Sequence, residues 1–268
     1  MCKECGCGIM GEVSIGGRPR GLVSSPLAHG HHHDQPHDPP HLQGQPYPQA
    51  HTLAVHQAIL EKNDRVAERN RGFFKAKGLL VLNVVSSPGS GKTTLLQKTA
   101  EVLKGRLRVG VIVGDLATDN DAARLRSAGV PVVQITTGTV CHLEADMVAQ
   151  AMRQLPLDTL DVLVIENVGN LVCPAMYDLG EELRVVLLSV TEGEDKPLKY
   201  PPMFHSATAA VLNKIDLTAA CDFDREEALA NLRKVSHHAD VFELSARTGE
   251  GMDRWCDFLI QRHAALRQ

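Results

Sequence analysis

Residues 79–103, LLVLNVVSSPGSGKTTLLQKTAEVL, constrain the fold more than any other part of the chain. The near-continuous apolar run at 79–86, bounded by a glycine-rich turn, reads as a strand buried on both faces. The turn opens directly into a helix-forming stretch. In the phosphate-loop template G-x-x-x-x-G-K-S/T, the register is Ser86, Ser87, Pro88, Gly89, Ser90, Gly91, Lys92, Thr93, with Ser86 in place of the first glycine. Gly89 and Gly91 let the backbone turn so that successive N–H groups, from Gly89 and Ser90 through Thr94, surround phosphate oxygens. The helix N-terminus at Lys92 adds partial positive charge. Lys92 is placed to reach the β- and γ-phosphates, and the Thr93 hydroxyl to ligate Mg²⁺. The blander reading is an ordinary Gly/Ser turn between strand and helix. The strand before and the helix after argue against it.

Around this unit, strand candidates fall at 79–86, 108–114, 131–135, 161–167, 183–190, 208–213 and 240–244. Helical patterns fall at 91–104, 142–154, 224–236 and 250–266. The alternation implies an α/β fold: a doubly wound, mainly parallel sheet of the P-loop NTPase kind with right-handed crossovers. The first fifty residues differ. Residues 16–50 are rich in Gly, Pro, Ser, Gln and His and lack apolar periodicity, so this stretch is expected to be disordered. The division is a flexible 1–50 segment and a nucleotide-binding domain at 51–268, opened by an amphipathic helix over 52–77. Its apolar face is read as Leu53, Val55, Ile59, Leu60, Val66, Phe73 and Phe74, with Gly78 as the stop. In 268 residues, a net charge of −4 and 4% aromatics give no basis for a nucleic-acid partner. No apolar run is long enough for a membrane helix, and MCKECGCGIM is no signal peptide. A cytoplasmic location is expected.

The end of the 208–213 strand carries Asn213-Lys214-Ile215-Asp216, the N-K-x-D pattern of guanine readers. A carboxylate accepts from guanine N1–H and N2–H₂, which adenine cannot offer. Ser245-Ala246-Arg247-Thr248-Gly249 follows about thirty residues on and resembles the S-A-x-x-G loop that backs the base. The ligand is thus expected to be GTP, with GDP as product. Two other strand ends face the phosphate loop in this topology. Asp115 and Glu166 are candidates to hold Mg²⁺, directly or through water. Glu166-Asn167-Val168-Gly169 stands where GTPases carry D-x-x-G, so Gly169 is a candidate γ-phosphate contact. Asp119 and Asp121 read first as a helix N-cap and a first-turn acid. No glutamine occupies a water-positioning place, which implies slow intrinsic turnover.

Three constellations suit metals. Cys2, Cys5 and Cys7 place thiolates close enough to surround one Ni²⁺ or Zn²⁺ ion. The tract holding His29, His31, His32, His33, His37 and His41 offers neutral imidazoles for loose Ni²⁺ or Zn²⁺ binding. Its resemblance to an expression tag is weakened by its internal position and its interrupting Asp and Pro residues. Cys141 and His142 precede the helix of 143–154, and Cys173 follows the switch-like segment. Each alone is bland, since buried Cys is common. Together they would tie a metal to a segment that moves with the γ-phosphate, and linkage makes such coupling reciprocal. Three ligands leave four-coordinate zinc incomplete, so water or a second protomer would fill the shell. Cys221 and Cys256 read as structural.

At this point MCKECGCG, the His tract, SSPGSGKTTLL, GDLATDNDAARL, GTVCHLEADM, ENVGNLVCPA, NKID and SARTGEG together resemble the HypB family, the nickel-incorporation GTPases of [NiFe]-hydrogenase maturation within the SIMIBI class. The resemblance spans nearly the whole chain apart from 9–50. It implies GTP hydrolysis, nickel delivery to the hydrogenase large-subunit precursor, homodimerisation and cooperation with a HypA-type metallochaperone. It also implies a high-affinity nickel site at Cys2, Cys5 and Cys7 and a zinc or nickel site at Cys141, His142 and Cys173. Two alternatives remain open here: a urease-accessory nickel GTPase, and a nickel-storage protein with an incidental GTPase.

Overall fold

The structure is a computed structural model that describes residues 13–19, 49–116 and 119–268. In chain order, β1 (Ser14–Ile15) and β2 (Arg18–Pro19) form a hairpin. Then come α1 (Gln49–Ala76), β3 (Leu80–Ser86), α2 (Lys92–Leu103), β4 (Val109–Asp115), α3 (Asn120–Ser127), β5 (Val132–Thr136), α4 (Ala145–Ala151), β6 (Val162–Glu166), β7 (Leu183–Ser189), α5 (Lys196–Lys199), α6 (Pro201–His205), β8 (Ala209–Asn213), α7 (Arg225–Val235), β9 (Asp240–Leu244) and α8 (Met252–Ala265).

These strands make one sheet in the order β2-β1-β5-β4-β6-β3-β7-β8-β9. The seven strands from β3 to β9 are mutually parallel. The pleat explains the apolar runs. On β3, Leu80, Leu82 and Val84 face a core shared with α2, α3 and α8, where Trp255 is buried and donates its Nε1–H to Thr99 Oγ1 at 3.0 Å. Leu79 and Val81 face α1 and α4, and Val85 faces α6 and α7. β3 sits at the middle, where strand order reverses, so the crevice beyond its carboxyl end is the natural ligand position in such a sheet.

Three sequence expectations change. Order does not begin at residue 51: β1 pairs antiparallel with β5, bringing residues 14–19 onto the sheet edge. The hairpin turn is Gly16-Gly17, both at positive φ, the two-residue form that matches strand twist. Ile15 is buried there. Second, the buried face of α1 matches the one apolarity suggests only in part, with Phe74 buried as expected. Ile59 and Phe73 are exposed, while Asn63, Ala67, Asn70 and Phe74 are buried. Asn63 Oδ1 accepts the Ala145 N–H at 2.9 Å, and Asn70 Nδ2 donates to the Ala145 carbonyl at 2.8 Å. The helix therefore presents amides because it closes on the open N-terminus of α4. Third, α4 begins at Ala145 rather than 142 or 143, which leaves Cys141–Glu144 as a loop.

Candidate functional site

The carboxyl ends of β3, β4 and β6 open on a cavity of about 370 Å³ lined by Gly89, Lys92, Thr93, Asp115, Glu166 and Gly169, among others. A larger open cleft of about 980 Å³ lies between α7 and β9 and contains none of these residues. In the phosphate loop, Ser86 closes β3 in ladder register with Leu187 and is fully buried. It is not among the residues at positive φ, so the missing template glycine is no handicap: this position is extended strand. Its hydroxyl bonds Ser90 Oγ and receives the Lys92 ammonium at 2.8 Å. Lys92 thus lies folded back over its own loop, and burial lowers its pKa. Gly91 is the N-cap of α2 at φ 97°, and a Cβ there would lie 2.7 Å from Asn213 Nδ2. Gly91→Ala is expected to cost about 1–3 kcal/mol of stability and to weaken nucleotide binding. A thermal melt and a nucleotide titration would check both, and an unchanged melt would contradict the close approach.

Thr93 Oγ1 donates to Glu166 Oε1 at 2.8 Å. Glu166 Oε2 is buried without a hydrogen-bond partner among the described residues. Burial pushes the Glu166 carboxyl up to about 7, against the pull of Lys92. A hydroxyl and a buried carboxylate with an unused oxygen make a hard-oxygen donor set that fits Mg²⁺. Asp115, at the end of β4, accepts the Leu116 N–H at 2.5 Å. Asp119 does occupy the N-cap position of α3, but its carboxylate pairs with Arg126 at 2.8 Å instead of capping. Asp121 lines the cavity, as does Arg124, whose guanidinium reaches Thr94 Oγ1 at 3.4 Å. Arg124 was not singled out from the sequence; its only signal was its place one turn beyond the acids of GDLATDND.

The loop expected to read the base is bound to the phosphate loop. Asn213 Nδ2 donates to the Ser90 carbonyl at 2.9 Å, its Oδ1 accepts the Ala246 N–H at 3.1 Å, and Lys214 Nζ donates to the Gly89 carbonyl at 2.7 Å. Lys214 takes a left-handed φ of 62°, a strained choice for a side-chain-bearing residue. Ser245 Oγ accepts the Thr248 N–H, which shapes the backing loop. Asp216 stands exposed in the short turn that follows Lys214.

The candidate metal triad assembles. One ligand atom from each of Cys141, His142 and Cys173 lies within 4.8 Å of the others, the one such cluster among the described residues. The two sulfurs are 3.0 Å apart. Both His142 ring nitrogens are buried without hydrogen-bond partners among the described residues, and the ring stacks on Tyr177 at 3.9 Å. Burial pushes the His142 pKa down to about 4. The ring is neutral at pH 7, so Glu144, 4.0 Å away, makes no ion pair with it. A neutral imidazole beside two thiols is a borderline-soft donor set suited to Zn²⁺ or Ni²⁺. Cys256 is buried, its thiol pushed up to about 11, in keeping with a packing role; Cys221 is exposed and packs in no core. Cys2, Cys5, Cys7 and the tract of His29, His31, His32, His33, His37 and His41 lie outside the described residues.

Comparison with known proteins identifies the family. The family described as the CobW/HypB/UreG nucleotide-binding domain matches residues 80–243. Hydrogenase maturation factor HypB of Escherichia coli K12 is 53% identical over 217 residues, covering 81% of this chain and 75% of that protein. The factor of the same name from Azotobacter vinelandii is 48% identical, covering 100% of this chain and 94% of its own length. The crystal structure of HypB from Helicobacter pylori in complex with nickel superposes with a TM-score of 0.73 at 42% identity, covering 76% of this chain and 96% of that one. With a parallel sheet switching order at β3, a phosphate loop on its carboxyl edge and relatives this similar along most of its length, the chain belongs to the HypB family of P-loop GTPases.

Proposed function

We propose that the protein is a GTP-hydrolysing nickel metallochaperone that acts in the cytoplasm and delivers nickel to the precursor of the [NiFe]-hydrogenase large subunit. The observation that carries this reading is one continuous segment. Glu166 meets Thr93 in the phosphate cavity, Gly169 lines the same cavity, and Cys173 follows four residues later in contact with Cys141. A segment shared by a γ-phosphate pocket and a thiol–imidazole cluster makes nucleotide state and metal affinity parts of one equilibrium.

In this reading Pro88, Gly89, Ser90, Gly91 and Thr94 cradle the phosphates and Lys92 swings from Ser86 onto the β- and γ-oxygens. Thr93, Glu166 and Asp115 would hold Mg²⁺, which when bound neutralises charge on the transferring phosphoryl group. Gly169 donates its N–H to the γ-phosphate. Asn213, Lys214, Asp216, Ser245 and Ala246 form the guanine site. Nickel is cargo, taken by Cys2, Cys5 and Cys7 and exchanged at Cys141, His142 and Cys173. Zn²⁺ is the other ion this triad suits, with the histidine tract as a reserve. A HypA-type metallochaperone and a second copy of the chain are the expected partners.

Asp216→Asn is expected to lower the preference for GTP over ATP by on the order of 100-fold or more, because a carboxylate built for two guanine donors is gone. Competition binding measures this, and unchanged selectivity would remove Asp216 from the base site. The delivery step is tested by deleting the gene and complementing it. Hydrogenase activity should be lost, then restored by the natural chain and not by Lys92→Ala. Lost urease with intact hydrogenase would overturn the reading in favour of a urease accessory role.

A further inference from the structure

Two backbone groups of the 141–143 loop are held by side chains from the segment that follows β6. Asn167 Oδ1 accepts the Leu143 N–H at 3.3 Å and its own neighbour's, Val168 N–H, at 2.9 Å. Asn170 Nδ2 donates to the Cys141 carbonyl at 3.3 Å. Asn167 is 1% exposed and directly follows Glu166, so one residue separates the cavity from the metal loop.

The direction in which the Asn167 amide points is fixed from behind. Glu181 is a buried carboxylate and can only accept. Burial opposes its charge, but Arg184, 2.7 Å away, keeps its pKa below the usual range. Arg184 is itself pinned by the carbonyls of Ala175 and Tyr177. Glu181 takes the Asn83 Nδ2–H at 3.1 Å, which turns Asn83 Oδ1 toward Asn167. Asn83 Oδ1 then accepts the Asn167 Nδ2–H at 3.2 Å, leaving Oδ1 of Asn167 aimed at Leu143. Each amide has one orientation that satisfies both neighbours, so the chain of bonds is directed from a charged anchor to the loop that carries Cys141 and His142.

We infer that Asn167 is a positioning residue that makes the metal loop follow the nucleotide-facing segment, with Asn170 as a second tether. The inference rests on the reading above that nucleotide and metal are coupled. When phosphate contacts draw residues 166–170, the Leu143 N–H travels with Asn167, and Cys141 and His142 shift against Cys173. With the amide removed, the segment moves and the loop stays where α1 holds it, through Asn63 and Asn70 on Ala145.

The test uses the full chain with Cys2, Cys5 and Cys7 replaced by serine, so that thiolate-to-nickel charge-transfer absorbance reports on Cys141 and Cys173. Nickel affinity is measured by chelator competition with GDP and with a non-hydrolysable GTP analogue. The parent ratio is expected to be roughly 5–150-fold. Asn167→Ala should bring it to within about twofold of unity. Asn70→Ala removes an equally buried amide that grips the same region from α1 and should keep the parent ratio, which separates coupling from loss of packing. A parent ratio with Asn167→Ala unchanged overturns the inference alone; a parent ratio of one overturns the coupling reading and the inference with it. Should Asn167→Ala fail to fold, half-buried Asn170→Ala takes its place. It is expected to reduce the ratio, and an unaltered ratio contradicts the tether.

Discussion

Lys92→Ala is expected to reduce GTP turnover by on the order of 100–1000-fold while leaving thermal unfolding of the nucleotide-free protein unchanged or slightly raised. The two halves have separate physical causes. Turnover falls because the ammonium is the one cationic group at the start of α2 able to reach phosphate oxygens where charge develops in the transition state. Stability does not fall, because in the nucleotide-free chain this charge is a burden. It is buried over its own loop, its pKa is lowered by that burial, and it leans on the Ser86 hydroxyl and more distantly on the Ser87 carbonyl. Single-turnover hydrolysis and a melt on the same sample check both. Near-normal turnover would remove the phosphate-loop assignment, and a large drop in melting temperature would show that Lys92 is structural instead.

The second large effect is at the metal cluster. Cys173→Ser is expected to weaken nickel or zinc binding at the triad by about 100-fold or more, more than loss of a supporting residue around a metal usually brings. A serine hydroxyl does not ionise at pH 7 and is a poor ligand for a borderline-soft ion. The remaining pair, Cys141 and His142, is too few to hold either metal tightly. The fold has little stake in the change: Cys173 opens a short 3-10 turn and is half-buried, flanked by exposed Val172 and Met176. Chelator competition on the chain lacking Cys2, Cys5 and Cys7, followed through thiolate-to-nickel absorbance to which the histidine tract does not contribute, isolates the site, and undiminished affinity would dismiss Cys173 as a ligand.

How much of this was legible in the sequence depends on which forces decide each element. The strands of the parallel sheet read cleanly because both faces are buried, and runs such as Leu80–Val85 admit no other comfortable environment. The phosphate loop read cleanly because glycine and lysine spacing is dictated by phosphate geometry. The triad of Cys141, His142 and Cys173 was also reachable, since both loops leave strands that end on one edge of the sheet. What stayed hidden was decided by long-range polar contacts. The inner face of α1 is built on Asn63 and Asn70, and periodicity weighs an asparagine as solvent-facing; only the bare N-terminus of α4, more than seventy residues away, makes those amides useful. Asn83 lies within an apolar strand where no local pattern marks it out, and it is the middle of a buried relay. The hairpin at 14–19 is too short to carry a pattern and gains order from pairing with β5, although the Gly16-Gly17 pair was a readable turn signal. Arg124 belongs to the cavity through the direction of α3, which no local pattern encodes.

The central claim is that one segment, from Glu166 through Cys173, serves nucleotide and metal together. Equilibrium nickel titration of the full chain carrying serine at positions 2, 5 and 7, read through thiolate-to-nickel absorbance once with GDP and once with a non-hydrolysable GTP analogue, tests it most directly. Affinities that differ by roughly fivefold or more between the two nucleotides are expected, with the difference abolished by Cys173→Ser. Equal nickel affinity in both nucleotide states, with GTP binding intact, would contradict it.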